Sequence, residues 1–432
     1  MIRRSSGLLL HVTSLPGGRL GAAAERFVDF LAAAGQKWWQ VLPMGPPDRH
    51  GSPYAALSAF AGNERLLAKG ALPDLSRRPV DALRPPWLKD YALFRALRDR
   101  YGRPWTTWPR GLRDRDPQAL KRARAEHEKA IAKHERAQQA FQWQWSALKR
   151  YAHARGVRLI GDVPLFVAHD SADVWANRGL FKLTKNGRPE VVAGVPPDYF
   201  SRDGQRWGNP VYRWDVMRRR RFRWWTARIE RAFELFDMVR LDHFLGLLRT
   251  WEIPARAKTA KRGRWTPGPG ASLLHAVRRR GLIAEDLGLV TPEATRLRKR
   301  FRLPGMQVLQ FCFGADGTLP HDFERNCVVY TGTHDNNTTV GWFLGGGPDR
   351  ELARHYAHCR RNQIHWGLIR VAHESPAGLA IVPVQDLLGL PGRARMNRPG
   401  TTRGNWRWRL KEGTLTPALA RRLRKLTEKA KR

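Results

Sequence analysis

The sequence predicts an α/β fold of the (β/α)8 barrel class. Eight short apolar runs recur along the chain, each followed by polar or glycine-rich residues. The runs are continuous in Val, Ile and Leu rather than alternating, which suits strands buried on both faces of a parallel sheet. Stretches of helical character lie between them. An open, doubly wound sheet is the alternative arrangement. The chain has 432 residues, more than the roughly 250 typical of such a barrel, so insertions are expected.

The runs are, in order, Gly7–Thr13, Trp38–Pro43, Val157–Phe166, Phe236–Phe244, Leu282–Gly288, Met306–Cys312, Cys327–Asp335 and Leu379–Asp386. Helices are expected at Ala22–Ala34, Phe141–Arg155 and Pro292–Phe301. The barrel is assigned to residues 1–60 and 141–415. Residues 61–140 form a helical insertion, in which Asp116–Ala140 reads as one long charged helix. A second insertion, 168–234, is rich in Trp, Tyr, Pro and Gly. Residues 416–432 read as a basic amphipathic helix, expected to lie solvated on the surface.

Composition narrows the function. Hydrophobic residues make up 42% and aromatic residues 10%, enough to build a core and to exclude a disordered chain. Lys and Arg number 78 against 38 Asp and Glu, a formal net charge of +40. Arg supplies 62 of those cations and Lys 16. Such an excess raises the expectation of a polyanion partner. The run Arg218–Trp225, four arginines followed by Phe-Arg-Trp-Trp, interleaves cations with aromatics as single-strand binders do. Part of that run is equally read as barrel packing, and no nucleic-acid partner is expected. Cys312, Cys327 and Cys359 are too few for a disulfide framework and suit a reducing, cytoplasmic setting. No apolar stretch reaches a membrane span, and zinc-type clusters and nucleotide fingerprints are missing. Neither metal nor cofactor is expected.

Polar residues close several of the runs. The fourth ends Arg240-Leu241-Asp242-His243, the fifth Glu285-Asp286, and the seventh Thr333-His334-Asp335-Asn336-Asn337. In a barrel these strand ends share the face where active sites form. Neighbouring strands lie about 4.8 Å apart. Asp242 and Glu285, at the ends of adjacent strands, are therefore expected near the roughly 5–5.5 Å of a retaining carboxylate pair. The plain alternative is that they are loop acids capping helices. Aromatics support the sharper reading: Trp numbers 18, and Tyr199, Phe200 and Trp207 cluster with Gln205 and Asn209. Sugar faces pack on such rings, although Trp more often fills cores.

Longer motifs sharpen this further. They include GLLLHVTSLPG (Gly7–Gly17), SPYAALSAFAGN (Ser52–Asn63), GDVPLFVAHDSADVW (Gly161–Trp175) and AGVPPDYFSRDGQRWGNPVY (Ala193–Tyr212). VRLDHF (Val239–Phe244), AEDLG (Ala284–Gly288), VVYTGTHDNNTTVGW (Val328–Trp342) and ARMNRPGTTRGNWRWRL (Ala394–Leu410) follow. In this order and almost end to end, the chain resembles 4-α-glucanotransferases of the amylomaltase, or disproportionating enzyme, family. The resemblance implies a retaining double displacement on maltooligosaccharides or on starch- or glycogen-derived α-1,4-glucans. Asp242 matches the nucleophile, Glu285 the acid/base, and Asp335 the carboxylate that holds sugar hydroxyls in the transition state. Arg240, on the same side of its strand as Asp242, is placed to keep the nucleophile ionised. His334 matches a histidine that hydrogen-bonds the sugar. Ser52, Tyr54 and Asn397 fall where the family lines its glucan groove. Tyr199, Phe200, Gln205 and Trp207 match the loop covering the acceptor side. Asp162 matches an acid near the site, with orientation of a strand end as its equal alternative.

The chain also departs from the family. Asp48-Arg49-His50-Gly51 replaces a glycine-tyrosine-glycine loop, Leu245 and Leu247 replace an arginine and an aromatic, and Asn337 replaces an aspartate. The stretch between Asn63 and Trp87 is short for the family. An α-amylase-type hydrolase on the same barrel is the competing reading. Such enzymes usually append a β-sandwich, which the few residues after Asp386 do not supply. The substrate class is neutral, so the cationic excess is expected on surfaces away from the site.

Overall fold

The computed structural model describes residues 2–68, 85–197, 201–277, 281–315, 317–401 and 403–432. Its strands are β1 (Ser5–Leu9), β2 (Trp38–Gln40), β3 (Arg158–Val163), β4 (Val191–Val195), β5 (Gln205–Pro210), β6 (Met238–Leu241), β7 (Arg249–Pro254), β8 (Arg264–Pro267), β9 (Leu282–Ala284), β10 (Gly305–Val308), β11 (Cys327–Tyr330) and β12 (Leu379–Pro383). Eight form one sheet in the order β10-β11-β12-β1-β2-β3-β6-β9. Every pairing in it is parallel. All eight apolar runs therefore become strands of a (β/α)8 barrel. Each strand is shorter than its run, because the polar end of the run turns out into a loop.

The barrel closes where β9 meets β10. There the Ala284 N–H donates to the Pro304 carbonyl at 2.9 Å. A side chain adds to this backbone contact. The Asp286 carboxylate accepts from the Met306 N–H of β10 at 2.8 Å and pairs with Arg298 at 2.9 Å.

Alternation along each strand divides the core. Leu9, Ile160, Met238, Ile283, Met306, Val328, Tyr330 and Ile381 form one cluster, the barrel interior. Leu8, Leu159, Val239, Leu282 and Val382 pack outward with the helices. Full burial of each such side chain contributes about 1.5–3 kcal/mol. Gly161 is required inside β3, since a Cβ there would meet the Phe236 ring at 2.0 Å.

The helices depart from expectation in two places. A helix spans Pro117–Glu126, breaks at His127, and a second runs Glu128–Ala154. The second helix passes without interruption through position 140. Its Trp145 is fully buried and donates to the Leu235 carbonyl at 2.8 Å. The C-terminal helix, Pro417–Lys429, is docked rather than solvated all round, burying Ala420, Leu423 and Thr427. Its Arg424 donates to the Ala32 and Ala33 carbonyls that end the helix Ala22–Ala33. Arg4 and Arg432 together donate to the carbonyls of His373 and Ser375, at the end of the helix Ile364–Glu374. These guanidiniums satisfy acceptors that a helix terminus leaves open. Among the described residues no helix is long and apolar enough to cross a membrane.

A second sheet, β5-β4-β7-β8, is antiparallel and built from the loops after β3 and β6. Its strands β5, β7 and β8 are not continuous apolar runs. β7 reads RTWEIP, mixing polar and apolar residues because only part of the strand is buried.

Candidate active site

Asp242 follows the last residue of β6 and Glu285 the last residue of β9, and Leu241 pairs with Ala284 between these strands. The two acids therefore leave the barrel side by side. Arg240 Nη2 pairs with Asp242 Oδ1 at 2.9 Å. Its other nitrogen bridges to both oxygens of Asp162 at 2.9 and 2.7 Å. Asp162 lies opposite Arg240 in the β3–β6 register. Its carboxylate is fully enclosed, and Tyr54 donates its hydroxyl to it at 2.6 Å. Burial pushes the Asp162 carboxyl up, opposed by the Arg240 charge. What Asp162 touches is Arg240 and Tyr54, so it shapes the site from behind.

Glu285 has different surroundings. Its Oε2 accepts from the His243 N–H at 2.6 Å and its Oε1 from the Leu287 N–H at 3.2 Å. Burial, with the Asp242 charge adding, raises its pKa to about 8, against the pull of Arg240 and the two amide bonds. The site thus holds one carboxyl against an arginine and another dehydrated beside a like charge. Divergent environments of this kind divide nucleophile from acid.

Asp335 stands across the cleft, after β11. Asn397 donates to its Oδ1 at 2.6 Å, His334 Nε2 lies 3.3 Å from the same oxygen, and Arg395 donates to its backbone carbonyl. The His334 ring stacks on Tyr54, with centroids 5.0 Å apart and planes 14° apart. Trp406 tilts against both rings. Trp207, carried by β5, is 37% exposed. Its ring lies perpendicular to that of His243, with centroids 4.8 Å apart, and its indole donates to Gln205 Oε1 at 3.2 Å. Ser52 follows the turn held by Asp48, whose Oδ1 accepts its N–H at 3.1 Å. Tyr199 and Phe200 lie outside the described residues.

The structure therefore gathers Asp242, Arg240, Asp162 and Tyr54 into one bonded group, with Glu285 following the adjoining strand. His334, Asp335 and Asn397 form a second, joined to the first through the Tyr54–His334 stack. Three contributors escaped the sequence reading. His243 supplies the amide that holds Glu285 and adopts a left-handed φ of 51°. Arg395 and Trp406 fix the Asp335 loop. Both lie inside the Ala394–Leu410 motif, which singled out only Asn397.

A parallel barrel presenting three carboxylates and a wall of aromatic rings at its strand ends is the architecture of an enzyme acting on glycosidic bonds. Comparison with known proteins specifies which. The family model of glycoside hydrolase family 77, described as 4-alpha-glucanotransferase, matches residues 10–85 and 81–416. The 4-alpha-glucanotransferase of Thermus thermophilus is 44% identical, with 99% of each chain covered. That of Synechocystis is 40% identical over 99% of this chain and 97% of its own. The amylomaltase of Streptococcus agalactiae, solved in complex with acarbose, superposes with a TM-score of 0.94 at 34% identity, covering both chains fully. The chain belongs to the 4-α-glucanotransferase family and is an enzyme of that type. The alignment with the Thermus protein runs over 496 positions, so this chain of 432 residues carries the deletions.

Proposed function

We propose that the enzyme disproportionates maltooligosaccharides by retaining double displacement, with Asp242, Glu285 and Asp335 as its catalytic carboxylates. One observation carries the assignment. Asp242 is paired with Arg240 at 2.9 Å, while burial beside it raises Glu285 to about 8. The first faces a guanidinium, the second holds a proton, and they sit on adjacent strand ends.

In the first step Asp242 attacks the anomeric carbon while Glu285 gives its proton to the glycosidic oxygen. The carbon–oxygen bond breaks, and the leaving glucan departs with a free 4-hydroxyl. In the second step an acceptor 4-hydroxyl gives its proton to the Glu285 carboxylate and attacks the same carbon, displacing Asp242. Asp335, held by Asn397, holds sugar hydroxyls whose bonds strengthen as charge develops on the ring. His334 donates to the same sugar. Trp207 and Gln205 cover the acceptor side and exclude water, so that a sugar attacks instead. Three free cysteines accord with a reducing, cytoplasmic setting.

The test is incubation with maltotriose and separation of the products. A ladder of longer maltooligosaccharides with glucose is expected. Maltose and glucose alone would establish hydrolysis instead.

A further inference from the structure

The Arg218–Trp225 segment is not absorbed by the transfer reaction. It forms the turn between the helices Trp214–Arg219 and Arg223–Leu235. With Asn177, Leu180 and Met217 it lines a cleft of about 810 Å³, separate from the carboxylates. Met217, Phe222 and Trp225 form a buried apolar floor, and Arg219, Arg220, Arg221 and Arg223 form an exposed rim. Arg219 pairs with Asp215 at 3.1 Å. No side-chain partner of Arg220, Arg221 or Arg223 occurs among the described residues.

Two more features mark the segment. Arg221 and Phe222 both take left-handed backbone angles, φ 53° and 52°. Such angles cost a non-glycine residue about 1–3 kcal/mol and concentrate at functional sites. The indole N–H groups of Trp224 and Trp225, which also line the cleft, are buried without an acceptor. Unpartnered buried donors call for a reason.

We propose that this cleft binds a small phosphorylated sugar. Guanidinium forks match phosphate oxygens bidentately, and the half-buried Trp224 beside them adds apolar surface for the carbon side of a sugar. The cleft falls within the roughly 300–1,000 Å³ of small-molecule sites. Within the cleft, the cations without a side-chain partner are Arg220, Arg221 and Arg223, set around a concave floor. That geometry fits a compact ligand better than the extended backbone of a nucleic acid.

The test is calorimetric titration of the whole protein at physiological salt with fructose 1,6-bisphosphate, which carries no glucosyl unit to occupy the glucan cleft. Saturable binding at one site is expected, with no binding of neutral fructose. The variant R220A/R221A/R223A should weaken binding at least about tenfold, leaving maltotriose transfer and Tm unchanged. Should that variant fail to fold, protection of Arg220 and Arg221 from phenylglyoxal by the bisphosphate in the unaltered protein reads the same contact. Binding untouched by the substitutions, equal binding of fructose, or no protection would overturn the proposal. So would tighter binding of a single-stranded oligonucleotide that displaces the bisphosphate, which would make the cleft a nucleic-acid surface.

Discussion

Glu285 and Asp242 leave paired strand positions, yet opposite electrostatics act on them. The Glu285 pKa of about 8 keeps it protonated below that pH, the form the first step needs. On maltotriose, kcat/KM should therefore hold up to about pH 8 and then fall, approaching tenfold per unit. A flat profile to about pH 10 would show that another group donates the proton. The same residue affects stability. Its folded pKa lies above its unfolded value, so its protonated form favours the fold and the stabilisation is lost as pH rises toward 8. Glu285→Gln should abolish transfer yet raise Tm above pH 8, with no gain near pH 4; thermal melts across pH check this. Arg240 was legible from strand alternation alone. Its anchoring by Asp162, 78 positions earlier, was not, because sequence does not show which strands adjoin. The Tyr54–His334 stack was hidden for the same reason.

At the scale of elements, strands and most helices were readable because each carries its own apolar period. The antiparallel sheet was not, since its four strands come from two separate loops and are only partly buried. That sheet nevertheless positions Trp207, whose indole meets His243, the neighbour of Asp242. Truncating Trp207 to Ala should open the acceptor side to water. The ratio of free glucose to transfer product from maltotriose should rise about tenfold, while Tm moves little because the ring is partly exposed. An unchanged product ratio would remove Trp207 from water exclusion. The helix Glu128–Ala154 was expected in two pieces because its outer half is charged and its inner half aromatic. Helical backbone continues through such a change of face composition when no glycine or proline interrupts it.

Over the whole molecule, the cationic excess takes on a structural meaning. Many guanidiniums donate to backbone carbonyls: Arg19 to Leu67, Arg228 to Leu165, Arg231 to Phe60, Arg424 to two helix-end carbonyls, and Arg432 to five. Charge serves here as a dense supply of donors, which explains the dominance of Arg over Lys. Arg432→Lys keeps the charge but loses the fork. It should cost about 1–3 kcal/mol of stability in chemical denaturation, and equal stability would reduce the contact to packing. The barrel seam carries a consequence of another kind. β1 and β12 are paired over five positions, whereas β9 meets β10 through Ala284 and the Asp286 carboxylate, immediately beside Glu285. Isotope exchange at the backbone amides of 282–286 should outrun that of β1 by orders of magnitude, and Asp286→Asn should quicken it further. If the seam opens first, warming should silence the enzyme while most of its amides are still protected, because the opening begins beside the residue that moves the proton.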